Sequence, residues 1–337
     1  MNKILCFGEI LLRMSPDKNT TDGFHINSFV GGAEANVALA LAKWKVPVKY
    51  STAMPDNFLS ERIAQYLSER NIDTSGIIHS GKRVGLYYLN QGADLKSMSV
   101  IYDRENSSFA ELKTFSVDWD VILDGVSHVH TTAISPAVSQ SSADVCKELL
   151  QAAKEKNITV SIDLNYREKL WKYGKLPIDV MPALASYADI IMGNVWAANQ
   201  MLGTGIDENI KNFSSQAEYV EEAKKVSGEI FTKYPNCKLV ANTFRFNAHE
   251  DAVKYFAVVC NKTETAFSKE KIFENIVDRA GSGDCFMAGI LYGYLHKFNL
   301  EQMVVLASAA ATGKLYEKGD HTQQTIESIQ ENIARYE

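Results

Sequence analysis

From residue 127 to residue 317, short apolar runs take turns with stretches whose apolar residues recur every three to four positions. This alternation limits the chain to one broad architecture. Strands that alternate with helices build a mostly parallel sheet with helices on both faces. Strands are expected at 127–132, 158–164, 188–192, 239–243 and 253–259, and helices at 139–157, 215–232, 284–297 and 300–317. The N-terminal part opens the same way, with a strand at 3–7, an Ala-rich helix running from Gly31-Gly32 to about Trp44, a strand at 46–53 and an amphipathic helix at 56–70. Two stretches break the rhythm. Residues 10–30 and 84–102 read as strands without helices between them, the second pair joined by the polar turn Gln91-Gly92-Ala93-Asp94. They are expected to form a separate small sheet laid on the main domain.

In open α/β sheets, ligands bind beyond the carboxyl ends of the strands. Asn194, Arg167 and Asp284 fall at such places. Asp284 follows Ala280-Gly281-Ser282-Gly283 at the start of a helical pattern in which Phe286, Ile290 and Tyr294 share a face. Glycines here let a ligand approach the main chain, and the amides of a helix start attract an anion. A carboxylate beside an anion cradle suits one task, taking a proton from a hydroxyl that attacks a phosphoryl group. On these residues alone a loop capped by an aspartate is the favoured reading. A dinucleotide fingerprint is excluded because Phe286 stands where its third glycine would be, and a Walker A loop because no lysine follows the glycines.

Composition narrows the partners. The 337 residues are 46% hydrophobic and 23% charged, ordinary for one large α/β domain, and the net charge of −6 gives no reason to expect nucleic acid or an anionic membrane. No apolar run approaches the ~20 residues that span a bilayer. The start Met1-Asn2-Lys3 runs straight into a strand pattern with no signal-peptide layout, and the five cysteines are scattered and odd in number. A cytoplasmic protein with reduced thiols is expected. His128 and His130 share a strand face and read as core residues, since no further ligand stands at metal spacing.

Gly31-Gly32-x-x-x-Asn36 at one helix start and Gly281-Ser282-Gly283-Asp284 at another together resemble the two signatures of the ribokinase, or PfkB-type, carbohydrate kinases. Ser282 stands where that family usually has alanine. The resemblance covers nearly the whole chain. It implies a ribokinase-like three-layer α/β/α sandwich as a single domain over 1–337, with a β lid from about 11–30 and 84–114. It also implies ATP and Mg²⁺, a sugar bound over Gly31, Gly32 and Asn36, an anion hole at Ala280, Gly281, Ser282 and Gly283, and Asp284 as general base.

Gly85-Leu86-Tyr87-Tyr88, Tyr102-Asp103-Arg104, Ile134-Ser135-Pro136 and Asp163-Leu164-Asn165-Tyr166-Arg167 are similar to 2-keto-3-deoxygluconate kinases. That similarity implies Tyr87, Tyr102, Arg104 and Arg167 around an acid sugar. An arginine fork suits a carboxylate, and tyrosine offers a hydroxyl on an apolar face. Arg13 stands where fructokinase-like relatives carry an aspartate, and a cation there would favour an acid.

The chain departs from the family in two places. Asn194-Val195-Trp196-Ala197 lacks the expected glutamate, so protein ligands to the metal are unassigned. The nucleotide segment Asn242-Thr243-Phe244-Arg245-Phe246-Asn247 has no glycine. Asn194, Thr243, Arg245, Arg279, Gly281 and Gly283 are the candidates for the nucleotide. The expected reaction is phosphorylation of the C6 hydroxyl of 2-dehydro-3-deoxy-D-gluconate. A neutral-sugar kinase and a non-catalytic sugar-binding relative are the alternatives. Dependence on a monovalent cation stays open, and exposed lid edges suggest a homodimer through the lid.

Overall fold

β1 (Lys3–Phe7) shows in five residues how the chain builds two cores. Its side chains alternate across the sheet, with Ile4 and Cys6 entering one apolar cluster and Leu5 and Phe7 the other. The computed structural model describes residues 3–16, 25–90, 100–249 and 252–336. After β1 the chain forms β2 (Leu11–Pro16), β3 (Ile26–Gly31), α1 (Ala33–Lys43), β4 (Val48–Met54), α2 (Phe58–Ser68), β5 (Ile72–His79), β6 (Gly85–Tyr88) and β7 (Ile101–Asp103). The middle contains α3 (Trp119–Ile122), β8 (Val126–Thr132), α4 (Ile134–Ala137), α5 (Gln140–Glu155), β9 (Thr159–Asp163), α6 (Pro177–Ala185), β10 (Ile190–Met192), α7 (Val195–Leu202) and α8 (Gln216–Lys233). The chain continues through β11 (Leu239–His249), β12 (Ala252–Cys260), β13 (Thr265–Phe267), β14 (Lys271–Phe273), α9 (Ser282–Leu295), α10 (Leu300–Lys314) and α11 (Ile326–Tyr336).

The main sheet runs β13-β12-β11-β10-β9-β8-β1-β4-β5, with β14 also on β12. From β5 to β11 the pairings are parallel, and β12 turns back against β11. One core lies under α5, α6, α7 and α8, the other under α1, α2, α9, α10 and α11. This is the three-layer sandwich that the alternation predicts. The strand order reverses between β1 and β8, the crevice where such sheets hold ligands.

The small sheet is separate, in the order β3-β2-β6-β7. Its outer pairings are antiparallel, but β2 and β6 are parallel. Part of the expected lid belongs elsewhere, because Phe109 and Leu112 pack into the main core. The polar turn expected at 91–94 lies outside the described residues. Several elements differ from expectation, β5, β11 and α11 among them. β5 is a half-buried edge strand with no regular alternation. β11 runs on to His249, so the glycine-free segment at Thr243 to Asn247 is paired strand with no loop. α11 was not anticipated from the pattern. The five cysteines are free and buried. His128 and His130 are buried, share the Ser161 hydroxyl at 2.9 and 3.0 Å, and are pushed down by burial to about 4 and about 3. They are neutral core residues. Among the described residues no helix is long and apolar enough to cross a membrane.

Candidate active site

α9 begins with a left-handed residue. Gly281 is its N-cap at φ 74°, and a Cβ there would lie 1.6 Å from the Asp320 carbonyl oxygen, so only glycine fits. The next glycine differs, because a Cβ on Gly283 would meet nothing within 4 Å. Gly283 is exposed at the mouth of a cleft, and its amide is open to whatever the cleft holds. Ser282 faces inward and donates to the Ala311 carbonyl at 3.0 Å. The hydroxyl that replaces the usual alanine therefore pins α9 to α10.

Asp284 sits in the first turn of α9 and is only 7% exposed. α1 packs on α9 and brings Asn36 to it, whose Nδ2 donates to Asp284 Oδ2 at 2.7 Å. Asn165, just beyond β9, reaches Oδ1 at 3.5 Å. Burial raises the Asp284 carboxyl to about 7, the Asn36 bond and Arg167 oppose the rise, and Asp163 and Glu34 add to it. A carboxyl poised near neutrality, holding one amide and lining a cleft, has the properties of a general base. The Asn36 Oδ1 is buried without a partner, an acceptor ready for a hydroxyl beside that base.

The cleft has a volume of about 530 Å³ and brings together residues from several elements or their ends. Tyr102 comes from β7, Arg167 follows β9, Asn194 follows β10, Thr243 and Arg245 lie on β11, and Arg279, Gly281, Ser282, Gly283 and Asp284 surround the start of α9. Arg279 donates to Asn247 Oδ1 at 2.9 Å, and Arg245 to the Arg279 carbonyl at 3.3 Å. Asn194 caps α7 through Ala197 N at 2.8 Å. The side chains of Tyr102 and Arg167 make no hydrogen bond or ion pair among the described residues.

The rest of the expected sugar-side set is placed differently. Arg13 does not line the cleft. It is fully buried and pairs with Asp278 at 2.9 Å and Asp320 at 3.3 Å, with its guanidinium over the Phe29 ring. The cation expected to meet a substrate carboxylate is held by two carboxylates of the protein. Tyr87 donates to Asp320 Oδ1 at 2.7 Å, and Arg104 is buried against Glu9. Neither lines the cleft. Gly31 lies against the Asp320 carboxylate, and Gly32 caps α1 at φ 131° with the Glu9 carbonyl oxygen close behind it. Of the acid-binding quartet only Tyr102 and Arg167 face the cleft. Ser135 of the Ile134-Ser135-Pro136 segment, with Thr132, donates to the buried Glu34 carboxylate on α1.

A family model described as pfkB family carbohydrate kinase matches residues 1–232 and 256–326. The chain belongs to the pfkB carbohydrate kinase family. This pfkB kinase is 32% identical to a solved 2-dehydro-3-deoxygluconokinase of Thermotoga maritima, which covers 99% of the chain and is itself wholly covered, at a TM-score of 0.87. It is 24% identical over 308 residues to the 2-dehydro-3-deoxygluconokinase of Bacillus subtilis (strain 168), covering 90% of this chain and 86% of that one. It is 30% identical over 171 residues to a 2-dehydro-3-deoxygalactonokinase of Haloferax volcanii, a match that spans half of this chain and 54% of that relative's length. The 5-dehydro-2-deoxygluconokinase of Listeria innocua is 25% identical over 297 residues, 85% of this chain and 80% of that one.

One feature of the kinase was not visible in its motifs. Beside the cleft, and sharing Tyr255 with it, lies a mostly apolar pocket of about 270 Å³. It is walled by Phe273 of β14, Val305, Ser308, Ala309 and Thr312 of α10, and Ile333 of α11. The Tyr255 and Ser308 hydroxyls are buried there without partners. A pocket assembled from elements far apart in the chain leaves no contiguous signature. For the metal, no cluster of three acidic, histidine or cysteine groups exists among the described residues. Asp163, Asn165 and Asn194 are among the oxygen-bearing residues that line the cleft.

Proposed function

We propose that this pfkB kinase transfers the γ-phosphoryl group of ATP to the C6 hydroxyl of 2-dehydro-3-deoxy-D-gluconate, with Asp284 as general base. The observation that carries this reading is the presence, in one cleft, of a near-neutral buried carboxyl and an arginine, Arg167, whose side chain has no salt-bridge partner among the described residues. The sugar hydroxyl lies between Asp284 and the free Asn36 oxygen. Arg167 and Tyr102 receive the carboxylate end. The amides of residues 280–283 and the positive end of α9 stabilise charge on the moving phosphoryl, at about 3–4 kcal/mol for each donor lost. Asp284 accepts the proton late, in a loose transition state that demands little base strength. Arg279 and Arg245 flank the polyphosphate, and the apolar pocket behind Tyr255 accepts the base of the nucleotide. Asp163 and Asn194, which line the cleft, would hold a Mg²⁺ ion, which would neutralise charge on the phosphates. The lid excludes the water that would otherwise compete as acceptor. Pairing of lid edges β3 and β7 between two copies would give a homodimer.

An acid substrate is supported over a neutral sugar by Arg167, since a cleft cation needs an anionic partner once water is excluded. ADP release should be measured with 2-dehydro-3-deoxygluconate, its galacto epimer, 5-dehydro-2-deoxygluconate, fructose and ribose. The reading expects the highest kcat/KM on 2-dehydro-3-deoxygluconate. Preference for fructose or ribose would replace it with the neutral-sugar reading, and no turnover on any sugar with the non-catalytic one.

A further inference from the structure

Asn36 meets Asp284 only because α1 lies where it does, and little in α1 itself fixes that place. Alanines at 33, 35, 38, 40 and 42 give the helix shallow ridges, and its Gly32 N-cap makes no side-chain hydrogen bond. Glu34, in the first turn, is the exception. It is 1% exposed and does not line the cleft. Its Oε1 accepts the Thr132 amide at 2.9 Å and the hydroxyls of Thr132 and Ser135 at 2.8 Å each. A carboxylate so deep is costly unless such bonds are made, and a methionine would fill a similar space without them. Thr132 ends β8 and Ser135 lies in α4, so the three bonds fasten α1 to the end of β8. On its other side the carboxyl lies against Gly8, just after β1, where an added Cβ would overlap it. The anchor thus sits over the ends of β1 and β8, where the strand order reverses. Two positions on, Asn36 points to a different side of α1, toward Asp284. The anchor also continues along the sheet. The Ala133 amide, next to Thr132, donates to the Asp163 carbonyl at 2.8 Å, and Asp163 Oδ1 accepts the Asn165 amide at 3.0 Å. Asn36 and Asn165, the two side-chain amides on Asp284, therefore trace back to one carboxylate.

We propose that Glu34 is a positioning residue for the kinase reaction, holding Asn36 against Asp284 through its bonds to Thr132 and Ser135. The inference deepens the kinase reading and rests on it, because it takes Asp284 as the base and Asn36 as its neighbour at the sugar hydroxyl. Three donors converge on one oxygen, which suits a carboxylate better than an amide carbonyl with two lone pairs. Glu34 touches neither sugar nor phosphate. Its effect passes through Asn36, so it must vanish when Asn36 is gone.

The test is a double-mutant cycle on the full-length enzyme. Glu34→Met should lower kcat about 10–100-fold, as a misplaced site amide does, raise KM for the sugar acid and leave KM for ATP unchanged. Glu34→Gln keeps one acceptor and should lose only about 2–10-fold, the effect of one hydrogen bond. Asn36→Ala should be slow by itself, and adding Glu34→Met to it should cost nothing further. Gly8→Ala keeps the carboxylate but pushes it aside. It should reproduce Glu34→Met, and it takes over the cycle if Glu34→Met does not fold. Wild-type kcat in Glu34→Met, or losses that multiply in the double variant, would overturn the proposal. So would a fall in kcat with both KM values unchanged, which marks a lost folded fraction. If wild type phosphorylates no sugar, the kinase reading fails separately, and Glu34 is judged by the side-chain amide signal of Asn36 in NMR, identified by its absence in Asn36→Ala. Slow hydrogen exchange in wild type with fast exchange in Glu34→Met supports the anchor, and equal exchange in both rejects it.

Discussion

The two sides of the turn at 278–284 carry the same kinds of residue and use them in opposite ways. On the cleft side, the Arg167 and Tyr102 side chains have no hydrogen-bond or salt-bridge partner among the described residues, and Asp284 is lifted to about 7. On the inner side, Arg13, Asp278, Asp320 and Tyr87 are buried and engaged with one another. An arginine with protein carboxylates on two sides cannot also bind a substrate carboxylate. The comparison teaches that residue type does not assign a role here. Engagement does, and the glycine turn separates a recognising face from a supporting one.

The largest effect is expected on the cleft side. Asp284→Asn should lower kcat by about 10³-fold or more while substrate binding persists, because the base acts only in the transition state. Near-normal single-turnover rates in that variant would remove Asp284 from the chemistry. On the inner side, Arg13→Met should act through stability. It leaves two buried carboxylates short of a cation, a loss of about 3–5 kcal/mol by urea unfolding. A small loss of stability with a large rise in KM for the sugar acid would instead move Arg13 to the recognising face.

A subtler effect follows from the Asp284 carboxyl. In the unfolded chain it ionises near its ordinary value of about 3.9, whereas in the folded apoprotein it ionises near 7. Folding therefore favours the protonated form. That contribution is complete below about pH 4 and is lost as the pH rises through 7. Asp284→Asn should raise the melting temperature by about 3–6 °C at pH 8, and by less at pH 5. The same gain at both values would mean that the carboxyl is not held near neutrality.

Much of this was legible in the sequence, and the exceptions have physical causes. Gly281, Gly283 and Asp284 mark a turn, an open amide and a helix start locally, so neighbouring residues suffice to read them. Alternating strands and helices dictate the layers in the same local way. Arg13 was not legible, because its partner Asp320 lies 307 residues away and nothing near either residue announces the pair. Arg104 is similar, since its partner Glu9 is 95 residues distant. The continuation of β11 beyond Thr243 to His249 was not legible, because its pairing with β12 is tertiary. The pocket behind Tyr255 draws on three separate parts of the chain.

The most direct test of this division is the selectivity of Arg167→Met, read as the ratio of kcat/KM for 2-dehydro-3-deoxygluconate to that for fructose. Loss of a charged hydrogen bond to the carboxylate should lower that ratio about 10–100-fold relative to wild type, with fructose turnover little changed. An unchanged ratio, with both substrates falling together, would contradict the assignment of the cleft side to acid recognition.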